Sequence, residues 1–191
     1  MNNLKLATWI DWILPIILFA PFLIYLLIGS LQISAWSTIG LIACGAFSWT
    51  FAEYLLHRYI FHLKITNKIC KIAQEATHGI HHKTPLTIKR SILPIIEAAL
   101  VGILFYGCLV LIFEKLYTTP FYLGFVIGYL YYDLFHYALH NLPISGKWFK
   151  NLKIEHLKHH YSNDESNYGV TTQIWDRVFR STNEKTEPTR L

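Results

Sequence analysis

Residues 155–160, Glu-His-Leu-Lys-His-His, place a histidine triplet with HxxHH spacing just past the last strongly apolar segment of the chain. The same spacing occurs once before, at His78, His81 and His82, and a long apolar hairpin separates the two copies. The other histidines come in pairs, His57 with His62 and His136 with His140, so all ten fall into four groups. A solvent-exposed histidine needs no companion, whereas a metal ion needs several ligands, and neutral imidazole suits iron, zinc, copper or nickel. One HxxHH alone is weak support for a metal; its repetition implies that these residues converge in space.

The segments around the triplets set the fold class. At 191 residues the chain is the size of one domain, 1–191, but it is 53% apolar with a positive mean hydropathy. Four runs, about 12–31, 36–57, 91–113 and 121–139, approach or exceed the length a helix needs to cross a bilayer. The expectation is an all-α integral membrane protein with about four transmembrane helices and a histidine-rich helical cap over about 58–90 and 140–180. The first run follows Lys5 but contains Pro15 and Pro21 and has no A-x-A cleavage pattern, so it reads as a retained helix rather than a signal. Small residues Gly40, Ala43, Gly45 and Ala46 in the second run, and Gly102 and Gly107 in the third, suit close helix packing. Tyr117–Pro120 reads as the turn between the third and fourth.

The formal charge of +5 does not point to nucleic acid, because the basic residues flank apolar segments and no recognition motif accompanies them. Arg58, Lys64, Lys68, Lys71, Lys83, Lys89 and Arg90 face the single acid Glu75, whereas the two other connectors carry no net charge. The positive-inside rule then puts the cap, all four histidine groups and both termini on the cytoplasmic side of a multi-pass protein. Cys44, Cys70 and Cys108 are too few and scattered for a disulfide framework or a thiolate site.

Helical geometry adds detail. His78 and His82 share a face while His81 lies about 100° from His82, so one triplet can address two metals. Glu53 is four residues before His57 and is placed to accept its second imidazole proton; Asp133 stands three before His136, close enough to orient it or a neighbouring imidazole. Trp148, Phe149, Leu152 and Ile154 give the helix that delivers the last triplet its membrane-facing or core-facing side. Tyr54, Trp148 and Phe149 suit either an acyl entrance or an interfacial belt. In the polar loop that follows, Tyr161, Asn163, Asp164 and Tyr168 are candidates for headgroup or access contacts, and the chain past Arg180 reads as a mobile tail. Two zinc ions need about eight ligands, whereas ten imidazoles match two metals with about five each, leaving a sixth position for water or oxygen.

The series HxxxxH, HxxHH, HxxxH, HxxHH, carried by EYLLHRYIFH, HGIHHKTP, YYDLFHYALH and NLKIEHLKHHYSNDESNYGVTTQIWDRVF, resembles the signature of the membrane fatty acid hydroxylase and sterol desaturase superfamily, nearest its fatty acid 2-hydroxylases. The resemblance implies that His57, His62, His78, His81, His82, His136, His140, His156, His159 and His160 are the metal ligands and catalytic site. It implies a pair of iron ions, with zinc as an alternative occupant in a preparation, and O2 as co-substrate. The expected reaction is hydroxylation of the carbon next to the carbonyl of a fatty acyl chain, free or in a ceramide-like lipid. The chain has no room for the cytochrome b5 domain often fused to such enzymes, so the expected electron source is an external cytochrome b5-, ferredoxin- or reductase-type donor. Glu155 stands where that subgroup often has a further histidine. The same pattern also serves sterol and carotenoid hydroxylases and desaturases; a membrane metal transporter or sensor is disfavoured because the ligands gather at one end of the helices.

Overall fold

The computed structural model of the chain describes residues 2–85 and 95–183, and every regular element among them is helical. They are α1 (Asn2–Ser30), α2 (Ala35–Leu56), a π-helical turn (His57–Phe61), α3 (Lys68–Gln74), a second π turn (Glu75–Gly79), α4 (Ile80–Lys83), α5 (Ile95–Ile112), α6 (Lys115–Asn141), α7 (Lys147–Tyr161) and α8 (Ile174–Val178). The chain divides into two compact units, residues 1–49 with 93–131 and residues 50–92 with 132–191. This is an all-α, membrane-associated protein.

In the first unit many of the apolar side chains face outwards. Ile17, Ile24 and Ile28 of α1, Ile39 and Phe47 of α2, and Leu100, Ile103, Leu104 and Leu111 of α5 are all exposed. Apolar surface on this scale is disfavoured in water and natural in lipid. Ile13–Ser30 and Ala35–Phe61 are long and apolar enough to cross a membrane; the apolar stretch of α5, Ala98–Ile112, is shorter. The boundary between α1 and α2 is tied by hydroxyls: Ser34 accepts the Ser37 N–H as the N-cap of α2, and Thr38 Oγ1 donates to the Ser30 carbonyl at 2.9 Å.

Two sequence expectations change here. The helix that was to begin near residue 12 begins at Asn2, because nothing in the first residues breaks it. Tyr117–Pro120 is not a turn; it lies within α6, and the turn is confined to Phe113 and Glu114. Thr118 and Thr119 donate their hydroxyls back to the carbonyls of Glu114 and Lys115, which satisfies both hydroxyls within the helix.

Of the small residues in α2, Gly45 is the one that sets a helix contact. A Cβ there would stand 1.9 Å from the Phe121 carbonyl oxygen, and one at Gly124 would stand 2.0 Å from that of Ile42, so α2 and α6 touch backbone to backbone. Gly40 has open space around it. Gly45→Ala or Gly124→Ala is therefore expected to destabilise the protein by about 1–3 kcal/mol through overpacking, whereas Gly40→Ala should stay within about 0.5 kcal/mol of the parent. Melting temperatures in detergent check this, and equal values for the Gly40 and Gly45 variants would contradict the close contact.

The second unit is a water-soluble-style core around one apolar cluster: Phe135, Ala138 and Leu139 of α6, Phe149 and Leu152 of α7, and Val170 of the loop after it. Trp148 and Ile154 lie on the exposed side of α7, so only Phe149 and Leu152 of its four large apolar residues point into this core. Tyr54, expected at an entrance or belt, is fully buried; its hydroxyl pairs with Ser181 and receives an Arg58 N–H. The tail expected past Arg180 is ordered at its start: Ser181 is buried, and Asn183 N–H donates to Asn167 Oδ1. Residues 184–191 lie outside the described residues, as do 86–94, which include Lys89 and Arg90.

Candidate metal centre

Ten histidines in the second unit fall into two groups of five. His57, His62, His78, His82 and His159 form the first; His81, His136, His140, His156 and His160 form the second. Within each, one ring nitrogen per residue lies within 4.8 Å of all the others.

Helical periodicity explains the division of the triplets. Residues four apart share a face and the intervening one at the third position lies round the helix, so the α3–α4 segment sends His78 and His82 to the first group and His81 to the second. α7 does the converse, sending His156 and His160 to the second group and His159 to the first. His136 and His140, four apart on α6, stay together. The HxxxxH pair does not follow this rule, because residues five apart on an α-helix diverge by about 140°. The π turn resolves it: His62 N–H donates to the His57 carbonyl at 3.2 Å, an i to i+5 bond that brings the two rings onto one side. The Gln74 amide donates to the carbonyls of Ile60, Phe61 and Leu63, anchoring the end of that turn to α3.

The ring nitrogens are spaced for a metal. In the first group, Nε2 atoms are 3.2 Å apart for His57 and His78, 2.9 Å for His78 and His62, 2.9 Å for His82 and His78, and 3.1 Å for His159 and His82. In the second, the separations are 3.0, 3.2, 2.7 and 3.1 Å. With metal–nitrogen bonds of about 2.1 Å, adjacent donors stand about 3.0 Å apart in an octahedron and about 3.4 Å apart in a tetrahedron. The count of five in each group exceeds the four ligands of a tetrahedral zinc and would leave a six-coordinate ion one open position. The pair of groups is compatible with a di-iron centre.

Backbone carbonyls set the tautomers of the first group. His57 Nδ1 meets the Tyr168 carbonyl, and His159 Nδ1 meets that of Ser166 at 2.7 Å. A carbonyl only accepts, so each Nδ1 carries the proton and each Nε2 lone pair faces the cluster. The loop that offers these carbonyls is itself held by two buried carboxylates. Asp176 accepts from the N–H of Tyr168 at 2.9 Å, the N–H of Gly169 at 2.7 Å and the Ser181 hydroxyl at 2.8 Å. Glu53 accepts from the N–H of Val170 and Thr171 and from the Thr171 hydroxyl. This corrects the expected Glu53 to His57 bond: the carboxylate is taken up by three loop donors, and Tyr168 serves His57 instead. Sequence reasoning missed Asp176 and the carbonyls of Ser166 and Tyr168, because a carbonyl belongs to every residue and gives no signal. Gly169 was the available clue; a Cβ there would lie 2.1 Å from the Thr172 carbonyl oxygen.

The second group differs. Among the described residues, the buried Nδ1 atoms of His140, His156 and His160 have no hydrogen-bond partner. Asp133 is fully buried beside this helix segment. Glu155 lies outside both groups; its carboxylate accepts from Asn167 Nδ2 at 3.1 Å and from Lys158 Nζ at 3.0 Å, tying α7 to the loop. Tyr161 is exposed, Tyr168 is buried, and Asn163 spends its side chain on the Glu165 N–H.

Burial pushes the His82 imidazole down to about 4 and also lowers those of His62, His78, His156, His159 and His160; neighbouring imidazoles add to the effect in every one of these except His62. Each ring is thus neutral and ready to bind a cation at pH 7. The folded state resists protons that the unfolded chain takes up below about 6.5, so stability falls as pH drops through the window from about 6.5 to 4. Metal-free protein should lose about 5 °C or more of melting temperature across that window and bound metal should leave in it. A flat melting profile from pH 7 to 4.5 would contradict the burial argument.

Comparison with known proteins gives consistent matches. The profile of a family described as fatty acid hydroxylase matches residues 42–181. Fatty acid 2-hydroxylase of Homo sapiens is 37% identical over 145 residues, covering 74% of this chain and 39% of that protein. Dihydroceramide fatty acyl 2-hydroxylase FAH2 of Arabidopsis thaliana is 36% identical over 171 residues, covering 88% of this chain and 71% of that protein. A solved structure described as full-length scs7p, with only the hydroxylase domain visible, superposes with a TM-score of 0.85 at 27% identity, covering 94% of this chain and 69% of that one. The chain spans 39% of the length of the human and macaque relatives it matches.

Proposed function

Since the chain belongs to the fatty acid hydroxylase family, we propose that it is an O2-dependent, two-iron monooxygenase that hydroxylates C2 of a fatty acyl chain, free or in a ceramide-like lipid. The observation that carries this reading is the five-plus-five arrangement of imidazoles, with one ring nitrogen per residue within 4.8 Å of the others in its group. His57, His62, His78, His82 and His159 would hold one iron, and His81, His136, His140, His156 and His160 the other. A bound iron pair supplies the oxidising power for attack on an unactivated carbon–hydrogen bond. The protein's share is to aim the Nε2 lone pairs, keep the imidazoles neutral and hold the loop carbonyls that fix His57 and His159.

The overall stoichiometry consumes one O2, two electrons and two protons for each hydroxyl placed and each water released. The electrons come from an external cytochrome b5-, ferredoxin- or reductase-type donor. Residues 1–191 act as one functional domain with four membrane spans, and the metal centre and both termini are cytoplasmic. The C2 position and the ceramide-like substrate are supported by the names of the relatives, which are 2-hydroxylases of fatty acids and dihydroceramide acyl chains.

Lipid mass spectrometry of membranes expressing the protein tests this. The expected result is an oxygen-dependent product heavier by one oxygen, with fragmentation placing the hydroxyl at C2. No such product from several offered acyl substrates would defeat the hydroxylase reading, and a hydroxyl on a sterol or carotenoid would redirect it.

A further inference from the structure

The two histidine groups are not equally enclosed. In the first, His62, His78 and His82 are only half-buried, whereas in the second only His160 is. A cavity of about 290 Å³ explains the difference: His62, His78 and His82 line it, and no histidine of the second group does. Lys64, Asp164 and Glu165 also line it, as do Glu75 and Lys83, which pair with each other. Lys64 Nζ and Glu165 Oε1 are 2.7 Å apart and both are strongly exposed, so they form the outer edge and link the segment after the first π turn to the loop after α7.

We propose that this cavity is a water-side port to the first metal site, through which water, protons and small hydrophilic ligands reach the first site more readily than the second. The proposal rests on the reading of the two groups as metal sites. The lining decides the class of occupant. An acyl chain would strip water from five charged side chains without replacing it, a cost that excludes lipid. The volume holds on the order of ten waters at about 30 Å³ each. The reaction also requires such a path, because each turnover consumes two protons and releases one water that an acyl-filled site cannot exchange. The exposed ion pair narrows the mouth without sealing it, since such pairs are individually weak.

The test uses iron-loaded full-length protein in lipid nanodiscs, oxidised, with azide as the probe. Iron is counted first: fewer than two per chain overturns the metal reading, and the port with it. With two irons per chain, rapid mixing should show one azide binding quickly, at one iron of the pair. Glu165→Ala and Lys64→Ala should each raise that rate about three- to fivefold, as expected for loss of a weak exposed pair. Because the two variants change charge in opposite directions, a common acceleration reports the opening and not attraction of the anion. Leu63→Trp, on the cavity wall, should slow the rate about tenfold, since an indole occupies much of the space. Equal azide rates at both irons, or a fast phase that none of the three variants changes, would overturn the port.

Discussion

His81→Ala is expected to abolish hydroxylation, by about 100-fold or more, and to reduce bound iron from two ions to about one per chain. The basis is geometric. His81 is 3% exposed, and its ring lies 4.6 Å from that of His136, 4.8 Å from His140 and 4.5 Å from His160, centroid to centroid. Its removal takes the one histidine that α4 contributes to the second group, while the first group keeps all five. Loss of a partner outside the ligand set costs about 10–100-fold in affinity, so loss of a ligand costs at least that. His82→Ala, one residue along, should instead empty the first site, since His82 sits with His62, His78 and His159. Mössbauer spectra of anaerobically loaded protein distinguish the two single-iron products. Retention of two irons and activity by either variant, or full activity from a preparation with one metal per chain, would defeat the two-site arrangement.

Asp176→Ala is expected to be the most damaging change outside the ligand set. Asp176 is wholly buried and accepts from two backbone N–H groups and one hydroxyl. Truncation leaves the two backbone N–H donors unpaired, while the Ser181 hydroxyl keeps Tyr54 as a partner, and at about 1–3 kcal/mol for each lost donor the loss should reach about 3 kcal/mol even after relaxation. The consequence then travels one residue: Tyr168, freed at its N–H, no longer presents its carbonyl to His57 Nδ1. Iron affinity at the first site should fall about 10–100-fold while the second site holds its metal. Asp176→Asn keeps the shape but turns an N–H2 toward a donor, and should fall between wild type and Asp176→Ala. A melting temperature within about 1 °C of the parent for Asp176→Ala would show that these bonds do not brace the loop.

The reading of the helices from the sequence held where periodicity and apolar content were the controlling facts. The all-α class and the long apolar helices follow from hydropathy, and 3.6-residue geometry allows the His78, His81 and His82 triplet to address two sites. Tyr117–Pro120 was misread because turn-forming residue types are visible in sequence, whereas the satisfaction of Thr118 and Thr119 by back-bonding inside a helix is not. Glu53 was assigned to His57 because spacing along one helix is visible and a loop folding back from more than a hundred residues away is not.

The sequence by itself singled out the candidate metal-binding residues, ten histidines in four groups, within a strongly apolar chain. Their spacing limits the faces they share, since helical geometry is local. Only the tertiary structure decided the partition, because it depends on how α4, α6 and α7 meet, and on a π turn that makes a five-residue spacing act as one face. It also decided the role of Glu155, which anchors the loop through Asn167 and stays outside both groups. Long-range packing and backbone carbonyls leave no mark in residue type, and here they aim the first group's imidazoles and leave one of its sides open to water.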